Sequence, residues 1–206
     1  MTAPIIILIE PQLGENIGAC ARAMLNCGVT ELRLVNPRDG WPSEKALAAS
    51  AGADRVINEA KLFSTTQAAI ADCDLVYATG ARLRHLNLPI DTGEEAAPRL
   101  VAAARPAILF GPERTGLHND DVALASRFLT IPLNPGFTSL NIAQAVLLVS
   151  YLWHRENGLP PVDHSRRTAS TQPATQEQVE GLMVHLETEL ERAHFFTSPT
   201  KKPSML

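Results

Sequence analysis

Gly111-Pro112-Glu113-Arg114-Thr115-Gly116-Leu117 directly follows the apolar run Ala107 to Phe110, and Ile131-Pro132-Leu133-Asn134-Pro135-Gly136-Phe137-Thr138-Ser139-Leu140-Asn141 closes the run Phe128 to Ile131. Polar turns just past the carboxyl ends of buried strands are where open α/β sheets bind ligands, so two in succession point to one composite pocket. Working outward, Ile5 to Ile9, Leu32 to Val35 and Leu75 to Thr79 are three more short apolar runs without polar alternation. Together the five read as buried strands, and helical patterns lie between them. The alternation predicts an α/β fold with a mostly parallel sheet and helices on both faces.

The amino-terminal helix is legible in detail. From Asn16, the residues Ile17, Cys20, Ala21, Met24 and Leu25 keep i, i+3, i+4, i+7, i+8 spacing, and Gly28 suits a left-handed stop. Asn16 reads as its cap, which would give it no further role. Arg22 falls off the apolar stripe, is flanked by Ala21 and Ala23, and has no acidic partner at i−4 or i+4. A solvated charge and a functional group are equally good readings of it. Glu113 can complement the dipole of the helix that follows it, and either Ser139 or Asn141 can start the apolar helix Ile142 to Trp153; one cap does not explain both.

A chain of 206 residues holds one substantial α/β domain and an appendage. Residues 1–157 read as the domain. The stretch 158–174, with Pro160, Pro161, Pro173, Arg166 and Arg167, reads as an exposed linker. In 175–206, Thr175 and Gln178 form a capping box, and Val179, Leu182, Met183, Leu186, Leu190 and Ala193 predict one amphipathic helix reaching Phe196.

Other classes fall away. Pro4 to Ile9 is far too short for a membrane span and has no export-signal flanks, so the expected location is cytoplasmic. Cys20 and Cys27 lie roughly 10 Å apart along one helix, beyond disulfide reach, and Cys73 has no partner at metal spacing. All three read as buried apolar side chains, with no metal expected. A Rossmann strand order is the natural guess, but Gly14 and Gly18 lack the spacing that holds a dinucleotide pyrophosphate. The net charge of −4 excludes a uniformly basic nucleic-acid binder without excluding a local basic surface built from Arg82, Arg84, His85 and Arg114.

The ordered set Asn16-Ile17-Gly18-Ala19-Cys20-Ala21-Arg22, Gly111-Pro112-Glu113-Arg114-Thr115-Gly116-Leu117 and Ser139-Leu140-Asn141 resembles the SpoU branch of the SPOUT RNA methyltransferases over roughly residues 4–157. Within that branch, Leu34-Val35-Asn36-Pro37 and Asn134-Pro135 through Ala143 look most like bacterial tRNA ribose 2'-O-methyltransferases acting at position 32, the start of the anticodon loop. The resemblance implies a deep trefoil knot in the carboxyl-terminal part of the domain. It implies S-adenosylmethionine as cofactor, bound through Thr79, Gly80, Ala81, Gly111, Ile131, Ser139, Leu140 and Asn141. It also implies catalytic roles for Asn16, Arg22, Glu113, Ser139 and Asn141, with Arg22 supplied by the other protomer of a homodimer. The anticodon stem-loop of tRNA is the implied partner, helped by Arg166, Arg167, Lys201 and Lys202. Relatives usually continue past Leu206, so a shortened chain or a reduced RNA-gripping extension is expected. Alternatives are ribosomal RNA, another tRNA position, and a noncatalytic RNA-binding module, since fold alone does not establish activity.

Overall fold

Five consecutive isoleucine and leucine residues, Ile5–Ile9, form β1, and every one is buried. A strand with no polar alternation must be covered on both faces, and that requirement organises the domain. In the computed structural model of the chain, which describes residues 2–80, 88–158 and 174–195, the following elements run in order. They are β1, α1 (Gly14–Asn26), β2 (Leu32–Val35), α2 (Glu44–Ala49), α3 (Asp54–Asn58), β3 (Lys61–Phe63), α4 (Thr66–Ile70), β4 (Leu75–Thr79), β5 (Ile90–Thr92), α5 (Gly93–Ala102), β6 (Pro106–Phe110), α6 (Asn119–Ala123), β7 (Arg127–Thr130), α7 (Ile142–Glu156) and α8 (Gln176–Arg192). The chain divides into two units, Met1–Pro160 and Pro161–Leu206.

In the first unit seven strands, all parallel, lie in the order β3-β2-β1-β6-β4-β7-β5. The pleat sends alternate residues to opposite faces. Ile6, Leu8, Leu32, Leu34, Ile108 and Phe110 meet α1, α5 and α7 on one side, while Ile5, Ile7, Ile9, Val35, Ala107 and Leu109 meet α4 and α6 on the other. The five expected strands are present. The order departs from the Rossmann guess because β6 lies between β1 and β4, and β7 between β4 and β5. Sequence reading missed β3 and β5, which are three-residue strands at the two edges with exposed or polar members.

Helix α1 begins at Gly14, two residues before the expected start, and its N-cap Leu13 makes no side-chain capping bond. Asn16 is therefore inside the first turn and is not the cap. Gly28 does take the left-handed conformation, with φ of 75°. Gly18 is required for contact: a Cβ there would collide with the Ala46 carbonyl of α2. Cys20 and Cys27 are buried as expected, whereas Cys73 is only half-buried beside Asp72. In the second unit α8 has the Thr175–Gln178 capping box, but none of its residues is buried. The expected end at Phe196, and the linker residues 159–173, lie outside the described residues.

Edge strand β5 is fastened by a buried carboxylate. Asp91 accepts from the Tyr77 hydroxyl on β4 at 2.5 Å and from Arg127 Nε and Nη2 on β7 at 2.5 and 2.8 Å. Arg99 of α5 stands 3.4 Å away. The Arg127 hydrogen bond, followed by that of Tyr77, holds the Asp91 carboxyl below its ordinary value against the opposing effect of burial. Burial first, and then Asp91, push the Tyr77 hydroxyl up, so it stays a donor. The stabilisation is complete above the ordinary carboxylate value of about 4 and is lost as pH falls through the lower folded-state value. Asp91→Asn should lower stability at pH 7 by about 2 kcal/mol, roughly 4–8 °C in Tm. Calorimetry should find that gap constant above about pH 5 and shrinking toward pH 3; a gap that widens in acid would contradict this account.

Candidate functional site

The end of β4 at Thr79 and Gly80 and the loops leaving β6 and β7 all lie at the carboxyl edge of the sheet, and because these strands are neighbours they meet. They enclose a cleft of about 370 Å³, within the range of small-molecule sites. Thr79, Gly80, Gly111, Glu113, Ser139 and Leu140 line it, over an apolar floor of Phe110, Val122 and Phe128. A second recess of about 140 Å³ shares Thr79, Gly80 and Leu140 and adds Ile131. Glycine is needed at two of these positions. A Cβ on Gly111 would strike the backbone of Gly116 and Leu117, and one on Gly80 would lie 2.7 Å from the Phe128 ring. The 111–117 loop is thus closed on itself, with Gly116 N donating to the Pro112 carbonyl at 2.8 Å and Gly116 at a φ of 67°.

Glu113 does not serve the following helix: α6 starts after His118, which makes no side-chain capping bond. Its carboxylate turns instead to α1, accepting from Gln12 N at 2.9 Å and Asn16 Nδ2 at 2.8 Å. A carboxylate can only accept, so Asn16 must present its NH₂ to Glu113, which leaves its carbonyl for another donor. That donor is Asn141 Nδ2, at 3.2 Å. Asn141 in turn is the cap of α7: its Oδ1 accepts from Ala143 N at 2.8 Å, and its backbone N–H donates to Gln144 Oε1 at 3.1 Å. One directional chain of hydrogen bonds therefore joins the β6–α6 loop, α1 and the start of α7. Behind it lies Cys20, whose thiol is pushed well up, chiefly by burial and then by the Glu113 charge, so it stays neutral.

The structure brings Asn16, Glu113 and Asn141 into one relay and sets Ser139 beside them at the cleft. Ser139 is exposed, and its hydroxyl has no hydrogen-bond partner among the described residues. Arg22 is not brought to this cleft. It lies six residues after Asn16 on α1, roughly 9 Å along the axis and about 120° around it. There it is exposed, with no hydrogen bond or ion pair among the described residues. Ala81, Arg82, Arg84, His85, Arg166, Arg167, Lys201 and Lys202 lie outside the described residues.

Sequence reading missed Gln12, which acts through its backbone N–H and so has no side-chain signature. It also missed Arg38, whose guanidinium is held above its ordinary value mainly by the Asp39 hydrogen bond and more weakly by Glu113. Among the described residues no group of three or more His, Cys, Asp or Glu can hold a metal ion, and no helix is long and apolar enough to cross a membrane.

The parallel sheet, with its ligand-sized cleft at the carboxyl edge, defines an α/β protein with an enzyme-like site. Residues 3–151 match the family described as SpoU rRNA Methylase, and the chain belongs to that family. It is 44% identical over 149 residues to a protein of Photorhabdus laumondii named tRNA (cytidine/uridine-2'-O-)-methyltransferase TrmJ, an alignment covering 71% of this chain and 61% of that relative. Its fold is similar to the crystal structure of TrmJ from Z. mobilis ZM4, with a TM-score of 0.74, 47% identity, and coverage of 99% of this chain and 86% of that one. The fold also resembles the SpoU methyltransferase AviRb of Streptomyces viridochromogenes, solved in complex with AdoMet, with a TM-score of 0.61 and 18% identity over 76% of this chain and 62% of that one.

The relay generates a test of its own. In Glu113→Gln the new amide can accept from only one of Gln12 N and Asn16 Nδ2, and its NH₂ faces the other donor. Stability should fall by about 1–3 kcal/mol, or roughly 2–12 °C in Tm. NMR should find the Asn16 side-chain amide resonances shifted. An unchanged Tm together with unmoved amide signals would remove Glu113 from its place as the anchor.

Proposed function

We propose that the protein is an S-adenosylmethionine-dependent tRNA (cytidine/uridine-2'-O-)-methyltransferase acting on the ribose at position 32 of the anticodon loop, in the cytoplasm. The observation that carries this reading is the meeting of Glu113, Asn16 and Asn141 in one hydrogen-bonded chain beside Ser139 at the cleft. The likeness to the P. laumondii protein over its aligned 149 residues supports the substrate class.

The cleft's residues fit the cofactor. Its volume suits a small ligand, and Gly80 and Gly111 bring bare backbone to its wall. Thr79, Gly80, Ala81, Gly111, Ile131, Ser139, Leu140 and Asn141 would hold S-adenosylmethionine, which supplies an electrophilic methyl group on a sulfonium. The chain's own residues have to align the ribose 2'-oxygen with that methyl and manage the hydroxyl proton. Ser139 offers a hydroxyl with no partner in the described chain, while the relay holds Asn141 and Asn16 at fixed angles. A guanidinium with a pKa above roughly 12 is a poor base at neutral pH. Arg22 therefore orients the ribose and stabilises charge.

Because Arg22 lines neither the cleft nor the adjoining recess of its own chain, a second protomer supplies it. The exposed apolar face of α7, with Leu147, Leu148 and Tyr151, supports a homodimer. The knot inferred for the carboxyl-terminal part of the domain draws support from the insertion of β6 and β7 between earlier strands. Helix α8 is a poor phosphate surface, since Glu177, Glu180, Glu187, Glu189 and Glu191 outnumber its one arginine, Arg192. Any electrostatic grip from the tail rests on Arg166, Arg167, Lys201 and Lys202.

Calorimetry with S-adenosylmethionine and light scattering should find cofactor binding by a dimer. Arg22→Ala should keep cofactor affinity within about twofold and reduce methyl transfer by about 100-fold or more, the scale of losing a charge-stabilising donor. Mass spectrometry of tRNA from a deletion strain should find one ribose methyl missing at position 32. Loss confined to ribosomal RNA would favour the reaction that the family's description names, and a monomer without cofactor heat would overturn the whole reading.

A further inference from the structure

The loop that leads into the Thr138-Ser139-Leu140 wall of the cleft carries an aromatic ring exposed to solvent. Phe137 is 74% exposed, more than any other large hydrophobic side chain among the described residues. It is held there by a built turn. Asn134 Oδ1 accepts from Gly136 N at 2.9 Å, and the Asn134 carbonyl accepts from Phe137 N at 2.8 Å. Pro132 before the turn and Pro135 within it restrict the backbone. The next three residues, Thr138, Ser139 and Leu140, line the cleft, as does the exposed Arg114. Two residues of chain span at most roughly 7 Å, so the backbone that carries the ring stands within a nucleotide's reach of Ser139.

A flat apolar ring carried beside the cleft and a guanidinium lining it suit a ligand with a flat face and an anionic backbone. Unpaired nucleotides have both: their bases stack on aromatic side chains, and their phosphates pair with arginine. We propose that Phe137 is the stacking platform for the base of the nucleotide whose ribose enters the cleft. The proposal rests on the RNA methyltransferase reading above. Stacking grips a π-face without reading hydrogen-bonding edges, so such a platform would accept cytidine and uridine alike.

The test uses the full chain and three variants: Phe137→Ala, Phe137→Tyr and Phe137→Trp. Unmodified tRNA is the ligand, and both binding and methyl transfer are measured. Phe137→Ala should weaken tRNA binding and raise its KM roughly 5- to 100-fold, the range of one lost base stack. Cofactor affinity and the light-scattering mass should not change, and the Tyr and Trp variants should restore binding. On tRNA lacking only the base of the target nucleotide, the parent chain and Phe137→Ala should bind equally.

Equal binding of intact tRNA by the parent and Phe137→Ala would overturn the proposal. So would a change in mass or cofactor affinity, or a deficit that persists on the abasic tRNA. Binding keeps this test separate from the proposed function: a parent chain that binds tRNA without methylating it would defeat that reading, while the comparison of variants still decides the role of Phe137.

Discussion

The bond between Asn16 and Glu113 ties together parts of the chain 97 residues apart, and the geometry of the cleft depends on it. Glu113 lies in the loop after β6, and Asn16 in the first turn of α1. Once the carboxylate has claimed the Asn16 NH₂, the orientation of that amide is set. Its carbonyl then selects the NH₂ of Asn141, whose own carbonyl caps α7. Polarity runs one way through three side chains, from an acceptor that cannot reverse its role. The β7–α7 loop is thereby registered against the β6–α6 loop across the space they enclose. Without the charge at Glu113 either amide could turn over, and the two loops would lose their common reference.

The sheet makes that arrangement possible. Parallel strands send their outgoing loops to one edge, and the strand order puts β6, β4 and β7 side by side, so Gly80 at the end of β4 meets the β6–α6 and β7–α7 loops. The outer flank at β5 is too short to hold itself by ladder bonds, and Asp91 supplies what the backbone lacks by joining Tyr77, Arg127 and Arg99. At the other flank Arg33, buried on β2, is satisfied by Glu31, Asp72 and the Ala69 carbonyl. Buried charges at both ends of the sheet are thus paired. Removing Asp91 would strip Arg127 of its carboxylate partner.

The interior strands and the amphipathic helices were legible because their burial is written in residue type and spacing: Ile5 to Ile9 can only be a strand covered twice, and Ile17, Cys20 and Met24 can only share a helix face. The edge strands were not, because Ile90-Asp91-Thr92 has the composition of a loop, and its place in the sheet comes from ion pairing with residues 8 to 36 positions away. Asn16 illustrates the same limit at the site. Local statistics favour Asn as a cap, and the reading fails because a partner 97 residues distant offers a stronger, charge-assisted bond. The motif residues themselves could be picked out in order along the chain, but not their division of labour.

That division follows from counting donors and acceptors. In Ser139-Leu140-Asn141 the Asn amide is used on both sides, capping α7 and holding Asn16, so its first duty is architectural. Ser139, two residues earlier and facing the cleft, carries a hydroxyl with no partner among the described residues. Leu140 between them is half-buried and lines both the cleft and the adjoining recess, which fixes the side on which its neighbours emerge. Substitutions at the two polar positions should therefore fail differently. Losing the Asn141 amide removes a cap and breaks the relay, so fold and site loosen together; losing the Ser139 hydroxyl leaves the scaffold intact and takes away only what the cleft offers to a ligand.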